Sequence, residues 1–164
     1  MTTAQRDALE THAMLHDRGE TLAVAESLTG GALGAALVAV PGVSATFRGG
    51  VIAYATQLKA ELLGVDAALL ARRGPVDPDV AVAMAVGVRQ RLGATWGLAT
   101  TGVAGPDPQD GHPPGVLFVA VAGPDGSRLE ALTLDGDRAA VRAAAVAAAF
   151  ELLRTVLRAG NASG

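Results

Sequence analysis

Residues 21–55 limit the fold more than any other stretch of the chain. The apolar run Thr21 to Ala25 ends in Glu26-Ser27, turns through Thr29-Gly30-Gly31 and enters an Ala/Leu segment that stops at Pro41-Gly42. A polar loop holding Ser44 and Arg48 leads to a second β-like run, Gly50 to Ala55. A short apolar run without alternation fits a strand covered on both faces, and a helix between two such runs returns the chain for parallel pairing.

The flanking segments extend this pattern. Residues 4–18, with Leu9, Ala13, Met14 and His16 among charged neighbours, read as an amphipathic helix ending before Gly19. Beyond the second strand a short helix continues through Leu63, with Lys59 on it or just before it, and residues 67–72 add another turn or two before Gly74-Pro75. Asp77 with Pro78 suits the cap of an alanine-rich helix over 78–92 whose inner stripe is Val80, Met84 and Val88. A strand over 95–101 runs into GVAGPDPQDGHPPG, which has too many glycines and prolines to be anything but a loop. Residues 116–122 and 128–134 flank Gly123-Pro124-Asp125-Gly126 as a hairpin, a last helix spans about 137–158, and the NASG tail is expected to fray. This order predicts a three-layer α/β/α sandwich around a mixed, mostly parallel five-stranded sheet. Ser27, Tyr54 and the loop after Thr101 then fall past strand ends, where sites form in such sheets.

Size and composition narrow the function. A chain of 164 residues suits one domain, and without cysteine it has no thiol catalysis, thiolate metal site or disulfide. No apolar run approaches membrane-spanning length and no leader pattern is visible, so a soluble cytoplasmic protein is expected. The net charge of -3, with both signs interspersed, and aromatics at 3% argue against direct nucleic-acid binding. Of 13 basic residues, 12 are arginine and only Lys59 is lysine. Burial tunes a lysine into a base, whereas an arginine keeps its proton; the single tyrosine, Tyr54, lies five residues earlier.

Few residues are left for catalysis. Of the serines, Ser127 sits in a turn and Ser163 in the tail, leaving Ser27 and Ser44. Ser27 is the better placed, because the helix opening at Thr29-Gly30-Gly31 offers backbone amides to an oxyanion or a phosphate. The same residues equally suit a helix cap and close packing. His12 and His16 stand one turn apart on the first helix without a third ligand and are expected to face solvent, while His112 lies in the Gly/Pro loop. A Ser-His-Asp arrangement is therefore disfavoured and a Ser27-Lys59 pair remains, with Tyr54 to relay or orient a proton. A surface lysine and a core tyrosine are the plain alternative. The TTGVAGP loop offers Thr100, Thr101 and backbone amides to a ligand, or is simply a turn. Asp137, Arg138 and Arg142 open the last helix, where the arginines suit a phosphate or merely solvent. No nucleotide fingerprint and no metal-ligand cluster is present, so neither cofactor nor metal is expected.

The blocks AESLTGG, GGVIAYATQLKAELLGV, GPVDPDVAVAMAVGV, TTGVAGPDPQDG, PPGVLFVAV and LDGDRAAVR, in that order, closely resemble the CinA C-terminal domain family, the PncC-type nicotinamide mononucleotide deamidases. The resemblance runs over about residues 5–157. It implies hydrolysis of the nicotinamide mononucleotide carboxamide to nicotinic acid mononucleotide and ammonia, in pyridine nucleotide salvage. The family's serine, tyrosine and lysine fall on Ser27, Tyr54 and Lys59. By the same resemblance Thr101 and Gly105 line the substrate pocket, Arg138 and, second to it, Arg142 take the phosphate, and a homodimer is suggested; Thr29, Gly30, Gly31, Ser44 and Gly102 are further substrate-side candidates from the residues themselves. The chain departs from the family pattern at Leu28, Ala55, Thr56, Asp77, Pro108 and Gln109, most of them on substrate-side loops. The nucleotide-processing domain that precedes this one in longer family members is not part of the sequence.

Overall fold

The computed structural model describes residues 1–162 and, in chain order, comprises α1 (Thr3–Arg18), β1 (Leu22–Glu26), α2 (Ala32–Val38), β2 (Phe47–Ile52), α3 (Thr56–Leu63), α4 (Ala67–Arg73), α5 (Pro78–Leu92), β3 (Trp96–Gly102), β4 (Val116–Gly123), β5 (Gly126–Thr133) and α6 (Arg138–Ala162). The strands form one sheet in the order β2-β1-β3-β4-β5. Pairing is parallel among β2, β1 and β3 and antiparallel from β3 to β4 and β4 to β5, so β4 alone runs against the rest. The expected mixed α/β sandwich is the observed fold.

Alternation along the strands explains why the two helical layers differ. On one face Leu22, Val24, Leu98, Leu117, Val119 and Val121 meet α1, α2 and α6. On the other, Ala23, Ala25, Ala99, Ala120 and Ala122 meet α3, α4 and α5. Small residues let α5 press onto the sheet: a Cβ on Gly97 would come within 2.0 Å of the Ala85 carbonyl oxygen. A large-residue face and an alanine face thus hold their helices at different depths. The stripe Val80, Met84 and Val88 is fully buried as expected.

Several local expectations are corrected. Helix α2 begins at Ala32 rather than Gly30, because Gly30 (φ 58°) and Gly31 (φ 102°) take left-handed backbone and belong to the turn. Strand β2 starts at Phe47, three residues early, so Arg48 is in the strand, with its Nε donating to the Leu92 carbonyl at 2.5 Å. On α1 the buried side is Ala8, Thr11 and Leu15, whereas Leu9 is exposed. His12 does not simply face solvent: its Nδ1 lies 2.8 Å from the hydroxyl of buried Thr46. Helix α6 continues past Arg158 to Ala162, with the Arg18 guanidinium bonded to the Asn161 side chain. The final residues of the expected frayed tail, Ser163 and Gly164, lie outside the described residues.

Candidate active site

Parallel pairing brings the carboxyl ends of β1, β2 and β3 to one rim. Ser27 follows β1 directly, and its amide donates to the Thr100 carbonyl of β3 at 3.2 Å, which fixes where the chain leaves the sheet. Buried Glu26, the last residue of β1, accepts from the amides of Leu33 at 2.9 Å and Gly34 at 3.1 Å. These are first-turn donors of α2, so the carboxylate beside Ser27 caps the helix and no ligand can use those groups. Three other amides of the turn, Leu28, Thr29 and Gly31, meet no protein acceptor among the described residues, and of these residues only Leu28 lines the cleft. A backbone donor to a ligand here therefore comes from the turn rather than from the helix end.

Strand β2 ends at Ile52, and Ala53-Tyr54-Ala55 carries the chain into α3, which points Lys59 back under the rim. Its ammonium nitrogen lies 3.0 Å from the Ser27 Oγ, 2.7 Å from the Ala53 carbonyl oxygen and 3.5 Å from that of Tyr54. The lysine is 1% exposed and Ser27 8%. Burial pulls the amine from 10.5 down to about 8, with the Asp110 carboxylate on the loop after β3 pulling weakly the other way. At pH 7 this leaves about one molecule in ten with a neutral amine, against about one in three thousand at the ordinary value. Among the described residues no carboxylate forms an ion pair with Lys59.

The cleft above this pair has about 430 Å³ of empty space, its open mouth included. Ser27, Lys59, Pro75, Val76, Thr101 and Gly102 form its inner part, and Tyr54, Thr56, Gln109 and Arg138 reach into it from the loops and from the starts of α3 and α6. Thr101, buried, donates its hydroxyl to the Pro75 carbonyl at 2.6 Å and so ties β3 to the α4–α5 link. Tyr54 is 60% exposed, and its phenol lies 3.4 Å from the Arg138 guanidinium rather than on the Ser27-Lys59 pair. The other arm of Arg138 donates to the Gly105 carbonyl at 2.7 Å. Gly105 thus holds Arg138 in place; it has φ 86°, and a Cβ there would come 2.9 Å from Pro114. Such a guanidinium, held at the mouth by neutral oxygens, can take an anionic group.

Six of the expected site residues, Ser44, Arg142, Thr29, Gly30, Gly31 and Gly105, do not line the cleft. Ser44 lies in a 3-10 turn, Val43–Ala45, that precedes β2, and so sits at the amino-end rim, a strand length of roughly 17 Å from the cleft. Arg142 directs Nε to the Leu28 carbonyl at 2.9 Å and Nη2 to the Thr29 carbonyl at 3.0 Å, so it grips the serine turn from behind. Thr29 is fully buried, with its hydroxyl 2.9 Å from that of Thr100, and it shapes the turn rather than lining the cleft with its side chain. Gly30 and Gly31 supply the left-handed backbone of the same turn. Of the departures from the family pattern, Thr56 and Gln109 line the cleft, whereas Asp77 caps α5 by accepting from Asp79 at 2.9 Å and Val80 at 3.3 Å. Sequence reasoning gave no role to Glu26 or Asp110. A carboxylate immediately before a glycine turn and a helix start was the available signal for the first; nothing local marked the second. Among the described residues no group of three histidine, aspartate or glutamate side chains is arranged to hold a metal ion, and no helix is long and apolar enough to cross a membrane.

Comparison with known proteins agrees with this frame. The chain is 56% identical over 144 residues to a CinA-like protein of Frankia casuarinae, covering 88% of this chain and 33% of that protein. It is 51% identical over 146 residues to a CinA-like protein of Parasynechococcus marenigrum, covering 87% and 35%. The chain thus spans about a third of the length of these curated relatives. Among solved structures, a competence-damaged protein (CinA) superfamily member from Klebsiella pneumoniae superposes with a TM-score of 0.92 at 31% identity, covering 96% of this chain and 99% of that one. The competence/damage inducible protein CihA of Agrobacterium tumefaciens gives 0.90 at 29%, covering 96% and 97%. A family model described as the CinA C-terminal domain matches residues 5–157, and the chain belongs to that family.

Proposed function

We propose that the protein hydrolyses the carboxamide of nicotinamide mononucleotide, giving nicotinic acid mononucleotide and ammonia, with Ser27 as nucleophile and Lys59 as its base. The observation that carries this reading is the 3.0 Å contact between a buried amine, lowered to about 8, and a serine hydroxyl at a strand end. A neutral amine has two N-H groups and one lone pair. The carbonyls of Ala53 and Tyr54 accept the two N-H groups, which leaves the lone pair facing Ser27 Oγ.

The reaction follows from that orientation. Lys59 takes the hydroxyl proton as Oγ bonds to the amide carbon, and the oxyanion falls to the turn amide of Leu28, the turn residue that lines the cleft beside Ser27. The C-N bond then breaks as the ammonium of Lys59 returns the proton to nitrogen, releasing ammonia and leaving an acyl ester on Ser27. Water attacks the ester carbon, gives its proton to Lys59, and the serine oxygen leaves with that proton restored. The pyridine carboxylate is the product.

The chemistry of the cleft's two ends suits the two ends of this substrate. Arg138 at the mouth supports an anionic terminus such as a phosphate, and the uncharged Thr56 and Gln109 lie along the cleft walls. Incubating the purified protein with nicotinamide mononucleotide and measuring ammonia tests the reading. Release that disappears in Ser27→Ala supports it; a protein that binds the nucleotide without releasing ammonia is a binding module instead.

A further inference from the structure

We propose that Arg142 is a positioning residue for the serine turn: its guanidinium holds the Leu28 and Thr29 carbonyls and, through the closed turn, keeps the Leu28 amide aimed into the cleft as an oxyanion donor. This role rests on the amidase reading above. It differs from the phosphate contact that the sequence suggested for the same side chain.

Nε and Nη2 lie on one edge of a rigid planar fork, and they meet consecutive carbonyls at 2.9 and 3.0 Å. Two peptide units held by one fork cannot rotate separately. In a planar trans peptide the C=O and N-H point opposite ways, so drawing Leu28 O toward α6 turns the Thr29 N-H away from α6. The next unit is held likewise, and its Gly30 N-H closes the turn on the Ser27 carbonyl at 3.1 Å, which fixes the Ser27-Leu28 unit and so turns the N-H of Leu28, a cleft-lining residue, the opposite way. The rest of the turn is pinned by Thr29 on Thr100 and by Glu26 on α2, which leaves Arg142 as the restraint on the carbonyl side.

Charge points the same way. Arg18, Arg73, Arg154 and Arg158 each pair with a carboxylate, whereas among the described residues Arg142 pairs with none. Its positive charge therefore falls on the oxygen ends of two peptide dipoles. A cation there polarises each unit and strengthens the donor at its nitrogen end. Gly30 supplies the left-handed backbone of this turn, with φ 58°, directly beside the fork, where a Cβ would make ordinary contact with Nη2 at 3.6 Å.

Steady-state kinetics of Arg142→Ala and Arg142→Lys on nicotinamide mononucleotide, with melting curves to verify folding, test the assignment. The expected result for Arg142→Ala is a kcat lower by about ten- to a hundredfold, below the ~10²–10³ lost with a direct oxyanion donor, and a KM within about threefold of wild type. Arg142→Lys, which keeps the charge and one bond, is expected to recover part of the loss, and decides the matter if the alanine variant does not fold. A raised KM with kcat intact would place Arg142 on the substrate's anionic group and overturn the proposal, as would unchanged kinetics. If wild type releases no ammonia, the amidase reading fails on this substrate, and phosphonylation of Ser27 by a fluorophosphonate then reads the turn directly. Labelling at least about tenfold slower in a folded Arg142 variant upholds the role; equal rates, or no labelling of wild type, overturn it.

Discussion

Lys59 Nζ reaches Ser27 Oγ at 3.0 Å across 32 positions of sequence, because β1 and α3 both deliver their residues to one rim of the sheet. The pair has to work through a buried amine held by carbonyls rather than by a carboxylate. That arrangement favours the neutral form and gives pH a direct hold on the chemistry.

Turnover should track the neutral fraction of Lys59. Its value near 8 predicts that log kcat/KM rises with unit slope from about pH 5.5 to 7.5 and levels above about pH 8. Asp110 raises the lysine, so Asp110→Asn should move the profile to lower pH. Rate-pH curves for both proteins give the comparison, and a flat wild-type profile would remove Lys59 as base.

The same burial predicts a stability penalty with a defined sign. Folding lowers Lys59 from 10.5 to about 8, so between those values the unfolded chain binds the extra proton and stability rises with pH. Below about pH 8 the penalty is fully present, about 3 kcal/mol at most before the lysine's hydrogen bonds offset part of it. Lys59→Met should therefore melt higher than wild type at pH 7, by a margin that shrinks toward pH 10.5. A lower melting temperature for the variant at pH 7 would contradict this balance.

Arg138 and Arg142 are one helical turn apart on α6 and should fail differently. Arg138 reaches the mouth of the cleft, so Arg138→Ala should raise KM for a phosphate-bearing substrate by roughly ten- to a hundredfold, the range of one charge-assisted hydrogen bond, with a smaller effect on kcat. Initial-rate measurements over substrate concentration decide it. Loss confined to kcat would deny Arg138 the anionic group.

Glu26 should matter to stability as well as activity. Its carboxylate accepts from two amides at the start of α2, and Glu26→Ala leaves both without a partner beside a packed core. The expected loss is about 1–3 kcal/mol, read from urea unfolding. Glu26→Gln retains one acceptor and should lose less; equal losses would assign the effect to packing.

The fold was legible because its signals are local and repeated. The apolar runs LAVA and WGLATT read as strands covered on both faces, and the helical segments between them break at Pro41-Gly42, Gly64 and Gly74-Pro75, so the layer order follows from patterning. The contact between Ser27 and Lys59 was legible because the chain has one lysine and few serines to choose among. What patterning does not encode is direction. Arg142 looks like a phosphate ligand in GDRAAVR, yet it faces carbonyls from β1's turn, more than a hundred residues away. Ser44 looked available as a polar loop residue, but parallel pairing sends the start of β2 to the far rim. Tyr54 sits beside Lys59 in sequence, while its phenol projects past the strand end to Arg138. Each of these depends on which way a side chain leaves its element in three dimensions.

Ammonia release from nicotinamide mononucleotide by wild type and by Lys59→Arg, compared at pH 8 with folding verified for both, tests the central claim most directly. Arginine keeps a positive charge at that position but cannot give up its proton. Wild type is predicted to liberate ammonia in step with nicotinic acid mononucleotide while Lys59→Arg liberates essentially none. Comparable release from the two proteins would contradict a neutral lysine acting on Ser27.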